Sequence, residues 1–217
     1  MNRLVIFDLD GTLLNTIADL GNAANHTLAE LGLPQHSLEE YRLMVGNGMR
    51  KLIERALPAE KADDAGFVDN TLSAFLKYYA EHIDLYTKPY PGIPELISDL
   101  STDGFRLAVA SNKIQAGAER LIGKFFPGID FSAVMGNSPR YPLKPDAALV
   151  EYIMDKAGTD RAHTIMVGDS GTDIQTARNA GIPIIAVSWG FRPRHELTSA
   201  DHIADSAGQL RTLIQKN

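Results

Sequence analysis

The chain has 217 residues, 44% of them hydrophobic, with 21 basic against 27 acidic side chains and a net charge of −6. That length accommodates one domain with an insertion, or two small domains, around a substantial core. Its acidic balance without a basic block argues against nucleic-acid and membrane partners, and the lack of cysteine removes disulfides, thiolate metal sites and thiol nucleophiles.

The first element is Leu4 to Phe7, four apolar residues without polar alternation, as in a strand buried on both faces. It runs straight into Asp8. Asp8 and Asp10 are two apart, so on extended backbone they share one side while Leu9 takes the other. Gly11 permits a turn, and Thr12 supplies a hydroxyl and a backbone N–H. The opening apolar run is too short for a signal peptide and no stretch approaches a membrane span, so a soluble cytoplasmic protein is expected.

Residues 16 to 31 place Ile17, Leu20, Ala24, Leu28 and Leu31 at helical spacing, with Gly32 fitted to close the helix. Ser37 and Glu40 form a capping box that opens a second helix, which Gly46-Asn47-Gly48 breaks. Residues 49–57 resume the helical period, Pro58 stops them, and a further amphipathic segment covers 60–83. Nothing from 16 to 84 reads as a strand. Pro89, Pro91 and Pro94 then make a stiff linker.

Beyond the linker, strands and helices alternate. A helix over 94–103 precedes a strand from Phe105 to Ala110, which ends on Ser111-Asn112. A helix over 115–125, a strand from Phe131 to Met135 and a helix over 146–157 follow. The strand from Thr164 to Val167 meets Gly168-Asp169, before a helix over 172–180, a strand from Pro183 to Val187, a short strand at 202–204 and a helix capped by Ser206. This alternation predicts an α/β fold with a doubly wound parallel sheet. The opening strand belongs to that sheet, so residues 1–15 and 88–217 form the core and 16–87 an inserted all-helical cap. Insertion at the carboxyl edge of a strand sets the cap over the place where open α/β sheets bind ligands.

Three buried strands end in polar groups at that edge: Asp8 with Asp10, Ser111 with Asn112, and Asp169. Lys144 stands near them, at the start of a helix after an irregular loop. Taken singly, each has an ordinary explanation. Closely spaced aspartates mark turns, Ser-Asn caps helices, and a lone lysine is usually solvated. Packing alone gives no reason for acids, a hydroxyl and a cation to converge on one edge.

Asp8-Leu9-Asp10-Gly11-Thr12, Ser111, Lys144 and Gly168-Asp169-Ser170-Gly171-Thr172-Asp173 resemble, in order, the four motifs of the haloacid dehalogenase-like phosphohydrolases. The resemblance covers essentially the whole chain. Val45-Gly46-Asn47-Gly48, Tyr90-Pro91-Gly92 and Ser111-Asn112-Lys113 are similar to the phosphoglycolate phosphatase branch. It implies a Rossmannoid core and a Mg²⁺-dependent phosphatase that forms an aspartyl-phosphate. Asp8 would be the nucleophile, and Asp10 the acid toward the leaving group and then the base toward water. Ser111 and the Asn112 N–H, with Gly11 and Thr12 nearby, would hold the phosphoryl group, and Lys144 would offset its charge. Asp8, the Asp10 carbonyl and Asp169 would bind Mg²⁺, with Asp173 and Ser170 behind them.

The implied substrate is a small phosphorylated metabolite like 2-phosphoglycolate, met in the cap by Gly46, Asn47, Gly48 and Arg50. Arg50 would pair with a substrate carboxylate or second phosphate. Gly190-Phe191-Arg192 could line the entrance, and a monomer or weak homodimer is expected. Two positions depart from the family pattern: Asn15 replaces a frequent Asp, and Asp146 follows Pro145 where another proline is usual. Alternatives are a phosphosugar mutase, which shares all four motifs, or a nucleotidase or pyrophosphatase. A dehalogenase proper needs neither Asp10 nor a metal. A phospho-accepting receiver domain lacks the helical insertion, and a dinucleotide-binding module would need a glycine-rich turn after the first strand.

Overall fold

Four consecutive apolar residues make β1 (Leu4–Phe7) the centre of the molecule, and all four are buried. The computed structural model describes residues 3–216. Past β1, the Leu9 carbonyl accepts from the N–H groups of Thr12, Leu13 and Leu14, so the chain turns tightly. It then enters β2 (Leu14–Asn15), which pairs antiparallel with β3 (Lys88–Pro89).

Between the halves of this ribbon lie five helices: α1 (Ile17–Glu30), α2 (Leu38–Met44), α3 (Met49–Ala56), α4 (Ala59–Ala62) and α5 (Ala65–His82). They are the inserted helical cap. The Ser37–Glu40 capping box starts α2 as expected. The amphipathic segment over 60–83 is two helices, because the Asp64 side chain accepts from Phe67 N–H and starts α5 afresh.

The return from the cap is fastened from below. Asp19, in the first turn of α1, is buried, and its carboxylate accepts from Tyr86 N–H at 2.9 Å and Thr87 N–H at 2.8 Å. The Thr87 hydroxyl adds a third bond at 2.7 Å. Three donors on one buried carboxylate tie the exit strand to the entry helix. Expected only as a stiff linker, this region therefore contains a paired strand, with Pro89 on a ribbon edge where its missing N–H costs nothing.

The core continues with α6 (Ile93–Thr102), β4 (Arg106–Ile114), α7 (Gln115–Phe125), β5 (Phe131–Asn137) and α8 (Ala148–Ala157). It closes with β6 (Thr164–Gly168), α9 (Gly171–Ala180), β7 (Ile184–Val187), β8 (His202–Ala204) and α10 (Ala207–Lys216). The six long-sheet strands run in the order β5-β4-β1-β6-β7-β8, every pair parallel. Side chains alternate across β1: Val5 and Phe7 pack with α6, α7 and α10, Leu4 and Ile6 with α8 and α9.

Two boundaries that bear on the site differ from expectation. β4 does not stop at Ala110 but runs through Ser111, Asn112 and Lys113, its register against β5 shifting after Ala110. Those polar residues satisfy themselves toward the site, so their polarity does not end the strand. α8 begins at Ala148 rather than 146, which leaves Lys144 on the loop before it; Asp146 accepts from the Ala148 N–H at 2.8 Å. Replacing Asp19 with alanine would strand the Tyr86 and Thr87 donors. The expected loss is about 3 kcal/mol in urea unfolding, read from the midpoint at unchanged m-value.

Candidate active site

β1, β4 and β6 are neighbours, so the residues just beyond their carboxyl ends meet. The Asp8 N–H still bonds to the Val167 carbonyl at 2.8 Å, which fixes its backbone one residue past β1. From the loop before α8 comes Lys144, whose Nζ donates to Asp8 Oδ1 at 2.8 Å and to Asp173 Oδ1 at 2.6 Å. All three side chains are buried. The Asn112 amide holds the lysine in place: its Oδ1 accepts from the Lys144 N–H at 2.8 Å and its Nδ2 donates to the Lys144 carbonyl at 3.0 Å. The Asn112 side chain is thus committed to the chain itself, leaving its backbone N–H as the group that can face a ligand.

Asp169 lies beside this pair. Its Oδ2 accepts from the Phe191 N–H at 2.7 Å and its Oδ1 from the Thr12 hydroxyl at 3.4 Å. Gly11 has φ +90°, and a Cβ there would stand 2.3 Å from Asp169 Oδ2. A Cβ on Gly190 would be 2.2 Å from the Asp169 Cβ. Only hydrogen fits on either side of that carboxylate. Asp173 occupies the first turn of α9, where its Oδ2 accepts from the Ser170 hydroxyl at 2.6 Å and the Ser170 N–H at 3.1 Å.

Carboxylate oxygens of Asp8, Asp169 and Asp173 all lie within 4.8 Å of one another. Set against them is one ammonium, Lys144, so the ionised cluster carries two negative charges in excess. Burial is the main reason the Asp8 carboxyl rises from 3.8 to about 7; Lys144 opposes the rise while Asp173 and Asp10 add to it. Burial, then the Asp173 and Asp8 charges, also push Asp169 well up. Burial acts against the Lys144 charge, but Asp173 and Asp8 outweigh it and raise that pKa. A divalent cation fits this donor set of hard oxygens with unbalanced charge.

A narrow cavity opens from these groups, with a volume of about 30 Å³. Asp10, Ser111, Asn112, Lys113, Ser170 and Arg192 reach it from the core, and Val45, Gly46, Gly48, Met49 and Leu52 from the cap. The cap is stapled to the core around it. Asn47 Nδ2 donates to Thr172 Oγ1 at 3.0 Å, Asn112 Nδ2 to the Gly46 carbonyl at 3.3 Å, and Arg192 Nη1 to the Arg42 carbonyl at 2.8 Å.

Most residues singled out in the sequence therefore converge, with exceptions. Arg50 does not reach the cavity: its guanidinium pairs with Asp69 at 2.5 Å and Glu54 at 3.3 Å on the outer side of α3. The reason is helical phase, since Met49, Leu52 and Ile53 hold the buried face of α3. Asn47 spends its side chain on Thr172 and on Arg55. Gly11 and Thr12 act behind Asp169 rather than on the cavity wall. Asn15, in place of the frequent Asp, still accepts from the Ile17 N–H at 3.4 Å. Sequence reasoning gave no role to Lys113, whose Nζ lies 3.1 Å from Asp10 Oδ1, nor to Tyr79. A lysine embedded in an otherwise buried strand was the available signal, because such a charge must find partners.

A parallel sheet with an inserted helical cap and this aspartate–lysine cluster defines a class of hydrolase. A family model for haloacid dehalogenase-like hydrolases matches residues 5–187, and the chain belongs to that family. It is an enzyme of the phosphomonoester hydrolase kind. The chain is 38% identical over 193 residues to a phosphoglycolate phosphatase of Mesorhizobium japonicum, covering 88% of this chain and 85% of that one. It is 36% identical to a phosphoglycolate phosphatase of Agrobacterium fabrum, covering 100% and 94%. A crystal structure of a proposed phosphoglycolate phosphatase from Lactobacillus delbrueckii subsp. bulgaricus superposes with a TM-score of 0.91 at 32% identity, covering 99% of each chain.

Two outcomes are expected. Folded Asp8 and Asp169 hold protons that the unfolded chain releases from 3.8 upward, so cation-free stability falls as pH rises through the window from 3.8 to about 7. A divalent cation replaces those protons, and its rise in Tm by differential scanning fluorimetry should be larger near about pH 8 than near about pH 5. Arg50→Ala should change kcat/KM on any phosphate ester by less than about 2-fold, as expected for a solvated surface pair.

Proposed function

We propose that the protein is a Mg²⁺-dependent phosphatase acting on a small phosphorylated metabolite of the 2-phosphoglycolate type. Residues 1–15 and 88–217 would serve as the catalytic core and 16–87 as the cap. The observation that carries this reading is the Asp8 carboxylate held by Lys144 at 2.8 Å, beside Asp169 and facing a cavity that Ser111 and Asp10 share. The names of the Mesorhizobium and Agrobacterium relatives support the substrate class, as does the narrowness of the cavity.

Asp8 attacks phosphorus, and the bond to the ester oxygen breaks as the aspartyl-phosphate forms. Asp10 gives its proton to the departing alkoxide, then takes one from the water that attacks the intermediate. The Ser111 hydroxyl and the Asn112 N–H hold phosphoryl oxygens, and the Lys144 ammonium offsets the charge that gathers in the transition state. Asp173 keeps Lys144 oriented by its 2.6 Å bond. Asp8, Asp169 and the Asp10 carbonyl would hold Mg²⁺, whose charge screens the repulsion between carboxylate and phosphate. Specificity rests on Val45, Met49 and Leu52, which give the cap side of the cavity an apolar wall. Such a wall limits the room beside the phosphate, while Arg192, which also lines the cavity, brings positive charge toward a substrate carboxylate.

No described helix is long and apolar enough to cross a membrane, and a cytoplasmic monomer or weak homodimer accords with the reading. Phosphate release from 2-phosphoglycolate should require Mg²⁺ and stop on chelation with EDTA. Asp8→Asn should lower kcat by more than about 10⁴-fold while circular dichroism stays unchanged. An Asp8→Asn protein with near-normal phosphate release would refute the reading, and isomerisation of sugar phosphates without release would replace it with a mutase.

A further inference from the structure

Lys113 has no place in the reaction as set out above, yet its side chain is completely buried at the reacting centre. Its Nζ lies 3.1 Å from Asp10 Oδ1 and 3.4 Å from Asp10 Oδ2. The same ammonium donates to the Tyr79 hydroxyl at 2.6 Å and stands 4.9 Å from the centroid of that ring. Tyr79 belongs to α5 of the cap, Lys113 to β4 and Asp10 to the loop after β1. Three separate parts of the chain thus meet on one nitrogen. The Lys113 backbone is engaged as well, its N–H donating to Ser111 Oγ at 3.2 Å.

We infer that Lys113 is the positioning residue for Asp10, and that the Tyr79 hydroxyl makes this positioning depend on the cap being seated. The inference rests on Asp10 being the acid toward the leaving group. A general acid must stand within hydrogen-bond reach of the oxygen it protonates. The turn after β1 holds the Asp10 backbone, but among the described residues its carboxylate is met by the Lys113 ammonium. The ammonium supplies that constraint from the opposite wall.

Stability alone does not account for the arrangement. A buried ion pair contributes little beyond what apolar side chains of the same volume would give. The ammonium also needs its full set of partners, because a desolvated charge with one partner missing is costly. Tyr79 is that missing partner whenever the cap lifts. Enclosing the substrate and aiming the acid therefore become one event.

The test exploits the leaving group. An alkoxide needs a proton to depart, whereas nitrophenolate leaves without one, and kcat/KM reports steps only as far as that departure. Tyr79→Phe and Lys113→Met are compared with wild type on 2-phosphoglycolate and on p-nitrophenyl phosphate. Tyr79→Phe should lose about 10-fold in kcat/KM on the first and less than about 2-fold on the second, with Lys113→Met showing a larger gap in the same direction. If Lys113→Met fails to fold, Tyr79→Phe decides alone, since it keeps the ring and its packing. Equal losses on both esters, or none on either, overturn the inference and leave a packing role. Asp10→Asn is the control. If it shows the leaving-group gap and the two variants do not, the inference fails by itself; if it shows no gap, the assignment of Asp10 fails and takes the inference with it.

Discussion

The Lys144 ammonium, held between Asp8 and Asp173, is the interaction on which the site depends. Without it, three carboxylates would crowd together out of water with no ammonium to offset them. Two neighbouring side chains help to keep that nitrogen in place. The Asn112 amide grips the lysine backbone on both its donor and its acceptor, and Ser170 turns the free oxygen of Asp173 toward α9. Even so, one ammonium leaves the cluster negative. A cluster of that charge suits a cation first, and an anionic ligand once the cation has offset it.

The second constraint is the union of cap and core. A single hydrophobic cluster runs from Phe7 and Leu9 through Leu14 and Leu20 into Leu52, Phe75 and Tyr79 of the cap. The polar staples around the cavity, Arg192 on the Arg42 carbonyl and Asn47 on Thr172, are by contrast few and directional. The apolar contacts thus form the base of the interface and the polar staples its rim. Asp19 reinforces that base, where both crossings between cap and core are joined.

Much of this could be read from the residues. The unbroken apolar run of Leu4 to Phe7 announced a central strand, and the Ser37–Glu40 box announced the start of α2. Asp8 and Asp169 were legible because acids at the ends of buried strands have no packing reason to be there, and Lys144 because its motif falls in the order the resemblance requires. Harder to see were features that depend on three-dimensional pairing. Pro89 reads as a breaker but lies in a ribbon, because an edge position asks for no N–H. Arg50 reads as a candidate anion binder, but the turn of α3 points it outward to Asp69. Lys113 and Tyr79 are far apart in sequence, and nothing local to either predicts the other.

Asp173 has a further consequence. The same carboxylate that orients Lys144 also closes the capping box of α9, one oxygen for each task. The first turn of that helix and the placing of the lysine therefore rest on one side chain, and removing Asp173 would take away a helix cap and a lysine partner together.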